Sequence, residues 1–212
     1  MRSIDTVDHN EIVRLYGPWN PRTVIDVIEL FEGYPGRWWI AGGWAIEAFT
    51  GVSRPHSDID PSIPRSDANR LRAHVVDRLD VWAANQGDLL PLANPDRPVP
   101  DTCSNLWLRP NGATPWEYDV ILMDATPALW TYKRDPRVTL PFDKILWSQA
   151  GVEYLRPEIQ LLHKAPGLRP QDRLDFDAAR SSMSDEASAW LRCALETAHP
   201  GHPWIEELVR SR

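Results

Sequence analysis

The chain has 212 residues, of which 42% are hydrophobic and 25% are charged, and its formal net charge is −7. This length allows one ordinary domain, or one domain with a small appendage, and the composition excludes a disordered or fibrous protein. The negative charge argues against a broad nucleic-acid interface, because such a surface needs clustered Lys and Arg.

Cysteine usage and hydropathy favour the cytoplasm. The two cysteines, Cys103 and Cys193, have no disulfide or metal-ligand spacing, which is typical of a reducing compartment. No run of 18 uncharged apolar residues occurs, and the segment 1–5 carries charge where a signal peptide needs an apolar stretch. We therefore expect a cytoplasmic protein without a membrane partner.

Hydrophobic spacing predicts the first elements. A helix is predicted over Pro21–Tyr34, and a short apolar run over 37–41 predicts a buried strand. Gly42 and Gly43 follow, and then a short helix that stops at Gly51. The predicted order is strand, glycine turn, helix.

Alternation predicts the next strand over Ser57–Ile63, and Ser66 can cap a helix over 67–79. Three further strands are predicted over Asp80–Ala84, Asn105–Arg109 and Trp116–Met123.

From about Pro157 the pattern becomes helical. We predict helices over 157–165, 170–183 and 184–198, with a short one after Pro203. The chain is therefore divided into an α/β domain over residues 1–145 and a small helical C-terminal region over residues 146–212.

Two aspartates carry the first chemical signal. In an extended strand, residues i and i+2 project from the same face, so Asp58 and Asp60 converge on one spot. Oxygen ligands of this kind suit Mg²⁺, whereas the simpler alternative is a solvated Asp-x-Asp turn. The glycine pair adds backbone N–H groups that could approach a phosphate.

A third carboxylate is expected from the strand over 116–123. Asp119 and Glu117 share one face of that strand, so either could reach a metal. Asp119 is favoured because its longer hydrophobic flank predicts a deeper position, where a charge is costly without a cation.

These residues lead to a family. The run Trp39-Ile-Ala-Gly-Gly-Trp-Ala-Ile-Glu47, followed by Gly51, Arg54, His56, Asp58 and Asp60, resembles the nucleotidyltransferase superfamily with the DNA polymerase β-like fold. Within it, the chain is most similar to aminoglycoside 2″-adenylyltransferases and lincosamide nucleotidyltransferases. The resemblance is strong over residues 37–63.

The resemblance implies a catalytic domain over 1–145 with a mixed sheet flanked by helices. It implies two Mg²⁺ ions held by Asp58, Asp60 and Asp119. It also implies transfer of a nucleoside monophosphate from ATP, or another nucleoside triphosphate, to a hydroxyl of a small acceptor, such as an aminoglycoside, with release of pyrophosphate. The residues that would contact the nucleotide are Gly42, Gly43, Trp44, Arg54 and Lys164.

Three positions qualify this resemblance. Pro61 directly follows the aspartate pair and predicts a strand that is broken, bulged or at an edge there. Lys164 could equally be an ordinary lysine at a helix C-terminus, where cations are favoured. His56 is expected to support the aspartate strand rather than to perform chemistry.

Two other clusters are assigned simpler roles. His199 and His202, with Cys193 nearby, match no standard zinc spacing and lie at a predicted helix end. The second cluster consists of alternating acids and arginines. It is expected to form the solvated side of a helix with local ion pairs, and an acceptor-facing role is the alternative. Its members are Asp172, Asp175 and Asp177, interleaved with Arg169, Arg173 and Arg180.

Two alternatives to the transferase stay open. One is a non-catalytic relative that kept the fold as an interaction protein, such as a toxin–antitoxin component. The other is a metal-dependent phosphohydrolase. The acceptor, the nucleotide base and the oligomeric state are not indicated by the sequence.

Overall fold

The structure is a computed structural model that describes residues 9–85 and 87–209. The segment 1–5, on which the expected localisation partly rests, lies outside the described residues. Contacts divide the chain into two compact units. The first comprises the described residues up to Ile40 together with His56–Met123, and the second comprises Ala41–Pro55 together with residues 124–209. The division at residue 145 inferred from sequence stays a prediction.

The helices are, in chain order, α1 (His9–Tyr16), α2 (Val24–Leu30), α3 (Gly42–Thr50), α4 (Ala68–Val75), α5 (Pro157–Lys164), α6 (Pro170–Arg180), α7 (Asp185–Ala198) and α8 (Pro203–Val209). The strands are β1 (Trp39–Ile40), β2 (Pro61–Pro64), β3 (Asp80–Asn85), β4 (Asp88–Pro91), β5 (Asn105–Arg109), β6 (Tyr118–Met123), β7 (Leu129–Thr131), β8 (Thr139–Pro141), β9 (Leu146–Gln149) and β10 (Val152–Leu155). Within the described ranges, no helix is both long and apolar enough to cross a membrane.

The first unit is built on a mixed sheet with the strand order β4-β3-β5-β6-β2-β1. Strands β2 and β6 pair in parallel, with Ser62 opposite Ile121, and the other neighbours are antiparallel. Apolar residues of the central strands, such as Ile63, Leu106 and Val120, are fully buried. The predicted fold class, a mixed sheet flanked by helices, is confirmed.

The second unit combines helices with two short antiparallel strand pairs, β7–β8 and β9–β10. Helices α5 to α8 begin at the prolines or at the cap that the sequence indicated. At the start of α7, Ser184 Oγ accepts a hydrogen bond from Ala187 N at 3.2 Å. The strands of these pairs were not predicted. Each pair joins only three or four residues of each strand, which is too few to show a clear period.

The strand predicted over Ser57–Ile63 begins only at Pro61. Proline has no N–H to donate to a ladder, so it is tolerated as the first residue of a strand. Asp58 and Asp60 therefore lie in the segment that leads into β2. Ile59 between them is fully buried while both aspartates are half-buried, so the predicted alternation survives without ladder pairing.

The glycine pair forms the first two residues of α3 instead of a turn before it. Gly42 has φ of 69°, in the left-handed region that glycine adopts without a steric penalty. At the other end of the helix, Gly51 has φ of 70° and its N–H donates to Glu47 O at 2.8 Å, as expected of a C-terminal cap.

Two helices of the first unit are shorter than predicted. Helix α2 starts at Val24, where the Asp26 carboxylate accepts hydrogen bonds from Thr23 N and Oγ1, both at 2.7 Å. Helix α4 starts after a 3₁₀ turn over Arg65–Asp67, so Ser66 is not its cap, and it ends at Val75.

Replacing Gly51 with Ala should destabilise the protein by about 1–2 kcal/mol, because a left-handed conformation is costly for an L-residue. Among the described residues no atom lies within 4 Å of a Cβ built at Gly51, so the effect would come from the backbone alone. The free energy of unfolding from urea titration measures it. The matched control is Gly112→Ala, at an equally open site outside the left-handed region, where a change within about 0.5 kcal/mol is expected. Equal effects at both positions would contradict the explanation.

Candidate functional site

Two of the predicted carboxylates belong to neighbouring segments of the first unit. Strands β2 and β6 pair in parallel, with Ser62 opposite Ile121. Asp60 directly precedes β2, and Asp119 is the second residue of β6. Each aspartate thus stands two residues before one member of the Ser62–Ile121 pair.

Asp119 is held by a neighbour on the adjacent strand. Asn105 Nδ2 of β5 donates a hydrogen bond to Asp119 Oδ1 at 2.7 Å. Asp119 is half-buried, while Tyr118 and Val120 on either side of it are buried. The amide fixes the orientation of this carboxylate. Asn105 was not identified from the sequence.

Glu117, the alternative third carboxylate, has a different role. It precedes β6, is only 8% exposed and forms an ion pair with Arg22. The expectation that Asp119 lies deeper than Glu117 is therefore wrong, because the Arg22 guanidinium compensates the buried charge of Glu117. The pairing nevertheless commits Glu117 elsewhere and favours Asp119 as the third member of the set.

The donor chemistry of the carboxylates fits magnesium. Asp58, Asp60 and Asp119 offer hard oxygen ligands, and Mg²⁺ is usually bound through one or two carboxylates with phosphate oxygens and water. Within residues 9–85 and 87–209, no group of three or more His, Cys, Asp or Glu side chains is placed to hold a metal ion. A nucleotide's phosphates would supply the remaining ligands of such a site.

In the second unit, helix α5 anchors the start of α3. The Gln160 side chain, which is buried, accepts a hydrogen bond from Gly42 N through Oε1 at 2.7 Å. Gly43 and Trp44, the next two residues of α3, are half-buried. Lys164 lies one turn after Gln160 on α5, on the same side of the helix.

The two predicted cations meet at a single carboxylate of α6. Arg54 binds Asp175 in bidentate fashion, with Nε–Oδ1 at 2.7 Å and Nη2–Oδ2 at 2.9 Å. Lys164 Nζ lies 2.9 Å from Asp175 Oδ2 and 3.2 Å from Asp172 Oδ1. The structure thus brings Arg54 and Lys164 together although 109 residues lie between them in sequence.

The expectation that the aspartates of α6 form a solvated face is wrong for two of them. Asp172 is fully buried and Asp175 is 3% exposed, whereas Asp177 is exposed and pairs with Arg173 at 2.8 Å as expected. Asp172 and Asp175 share a helical stripe with Phe176 and Ala179, which are also buried. That i, i+3, i+4, i+7 spacing is the sequence signal that could have placed both carboxylates inside.

Ion pairing keeps Asp172 ionised despite its burial. Burial by itself raises the pKa of Asp172, but the hydrogen bond from Arg169 and the charge of Lys164 lower it more strongly. The net result is a pKa below the usual value. Arg169 contributes its backbone N at 3.1 Å and its Nε at 2.9 Å, both to Asp172 Oδ2.

The histidines near the C-terminus have protein partners. His199 Nε2 lies 2.9 Å from the Tyr132 hydroxyl, and His202 Nε2 lies 3.1 Å from the backbone oxygen of Ala165. These contacts assign both rings to packing within the second unit.

Comparison with known proteins supports the resemblance to nucleotidyltransferases. Residues 23–82 match the family model of aminoglycoside-2″-adenylyltransferase. The chain therefore resembles nucleotidyltransferases, as the sequence predicted. No curated protein matches the chain in sequence.

Two solved structures share the fold. The lincomycin-bound lincosamide antibiotic adenylyltransferase LnuA is 19% identical, with a TM-score of 0.52, over 77% of this chain and 100% of that chain. ANT(2″)-Ia in complex with adenylyl-2″-tobramycin is 15% identical, with a TM-score of 0.52, over 81% of this chain and 94% of that chain. The matched family and both structures are adenylyltransferases, which is the enzyme class expected from the sequence.

Replacing Asp172 with Asn should lower the free energy of unfolding at pH 7 by roughly 3 kcal/mol, because it leaves buried cations without their partner. The pKa of Asp172 lies below its usual 3.8, so its stabilisation is present above that pH and is lost as the pH falls through the lower value. The difference between wild type and variant should therefore shrink below about pH 3.8.

Denaturant titrations at pH 7, 5, 4 and 3 measure this difference. Asp177→Asn, which removes an exposed ion pair from the same helix, is the control and should cost less than about 1 kcal/mol. A difference for Asp172→Asn that stays constant down to pH 3 would count against the assigned role.

Proposed function

We propose that the chain is a magnesium-dependent nucleotidyltransferase that moves a nucleoside monophosphate, AMP from ATP, onto a hydroxyl of a small acceptor and releases pyrophosphate. The observation that carries the proposal is the position of Asp60 just before β2 and of Asp119 in its parallel neighbour β6, within a segment and fold that resemble adenylyltransferases. The catalytic domain is proposed to span residues 1–145.

Asp58, Asp60 and Asp119 would hold two Mg²⁺ ions. When bound, such ions neutralise charge on the phosphate oxygens and on the leaving pyrophosphate. Asp119 is also proposed to accept the proton of the acceptor hydroxyl as a general base. Asn105 orients this carboxylate.

The proposed phosphate contacts are those that the resemblance implies. Gly42, Gly43 and Trp44 open a helix, and Arg54 and Lys164 supply positive charge. Charge-assisted hydrogen bonds from such cations stabilise the negative charge that develops on the leaving group. These roles follow the resemblance residue by residue.

The acceptor is proposed to be a hydroxyl-bearing antibiotic of the aminoglycoside or lincosamide class. Support comes from the ligands of the similar structures, which are lincomycin and adenylyl-2″-tobramycin. The net charge of −7 also suits a cationic acceptor better than a nucleic acid.

Replacing Asp58, Asp60 or Asp119 with Asn should lower the rate of nucleotide transfer by at least about 100-fold, because metal-ion stabilisation of the transition state is worth several kcal/mol. The assay supplies labelled ATP and Mg²⁺ with a panel of aminoglycosides and lincosamides, and detects the adenylylated product. The matched control is Asp101→Asn, an exposed aspartate of the first unit, for which wild-type transfer is expected.

The assay also separates the alternatives. Release of phosphate without an acceptor product would indicate a phosphohydrolase. Absence of transfer and of Mg-dependent ATP binding by the wild-type protein would sink the proposal and favour an interaction protein.

A further inference from the structure

One buried carboxylate joins the two cations that the proposed reaction needs. Asp175 Oδ1 binds Arg54 Nε, while Asp175 Oδ2 binds both Arg54 Nη2 and Lys164 Nζ. The carboxylate is 3% exposed, so water contributes little to its solvation. Arg54 follows α3 and Lys164 ends α5, and Asp175 of α6 is the contact that joins them.

The bonds fix the direction of both cations. A bidentate guanidinium–carboxylate pair holds the guanidinium plane, because the two parallel bonds permit a single orientation. Lys164 Nζ has three N–H groups, and its partners in the described part of the chain are Asp175 and Asp172. One N–H of the ammonium therefore stays available for an anionic ligand.

We propose that Asp175 is a positioning residue for the nucleotide: it holds Arg54 and Lys164 as one unit against the triphosphate. This role rests on the proposed function, since it acts through residues that would contact ATP. An ion pair that only stabilises the fold would give the same contacts, but its loss would leave the ATP affinity of the folded protein unchanged.

The test is the affinity of the full chain for MgATP, measured by isothermal titration calorimetry. Asp175→Asn keeps the volume of the side chain and removes its charge. It should weaken MgATP binding by about tenfold, the loss of roughly one oriented charge-assisted hydrogen bond. Asp177→Asn, two residues further along the same helix, should bind MgATP as wild type does.

A second variant covers the event that Asp175→Asn does not fold. Lys164→Met removes the cation that Asp175 orients, and the double variant Lys164→Met with Asp175→Asn removes a charge of each sign. Because Asp175 orients only Arg54 in the Lys164→Met background, adding Asp175→Asn there should weaken MgATP binding by about threefold, less than in the wild-type background. A full tenfold loss in this background would show that Asp175 does not act through Lys164 and would overturn the proposed joint positioning of the two cations.

The outcomes separate the two proposals. If the wild-type protein transfers nucleotide and the folded Asp175→Asn variant binds MgATP equally well, the positioning role is overturned and the proposed function stands. If the wild-type protein neither binds MgATP nor transfers nucleotide, both proposals are overturned. A tenfold loss for Asp175→Asn, with Asp177→Asn unaffected, supports the inference.

Discussion

The second unit depends on the burial of two carboxylates among three cations. Taking Asp172 and Asp175 out of water costs several kcal/mol each, and only well-formed ion pairs offset such a cost. The cations of these ion pairs are Arg54, Lys164 and Arg169, and their donor–acceptor distances to the carboxylates lie between 2.7 and 3.2 Å. Because the partners come from different segments, the requirement for charge compensation constrains how α5 and α6 pack with the segment that follows α3. The helices cannot shift without leaving a buried charge unpaired.

The first unit uses a milder constraint on its carboxylates. Asp119 is half-buried and bonded to the neutral amide of Asn105, whereas Glu117 is buried and paired with Arg22. A carboxylate that already has a guanidinium partner has little reason to bind another cation, so the ion pair with Arg22 marks Glu117 as a structural acid. The partner of Glu117 indicates this role more clearly than its depth in the sheet does.

Local sequence patterns predicted those parts of the fold whose signals are local. Strand β5 lies at the predicted Asn105–Arg109, and helices α5 to α8 begin at the indicated prolines or at the Ser184 cap. The four short strands β7 to β10 were not predicted, because each pair joins only three or four residues of each strand. The signal at Pro61 was local but incomplete. Its missing N–H predicts a break, a bulge or an edge, and the structure shows that the strand begins at this residue.

Partners of the candidate site were harder to predict, because they are distant in sequence. Gln160 and Gly42 are 118 residues apart, and no local pattern joins them. The carboxylates of α6 did carry a signal, since they stand at the apolar positions of an amphipathic helix, where a solvated acid would not be placed. Their burial has a geometric consequence for Lys164. Asp172 and Asp175 of one helix hold its ammonium group at 3.2 and 2.9 Å, so the position of the ammonium is set by α6 and not by solvent.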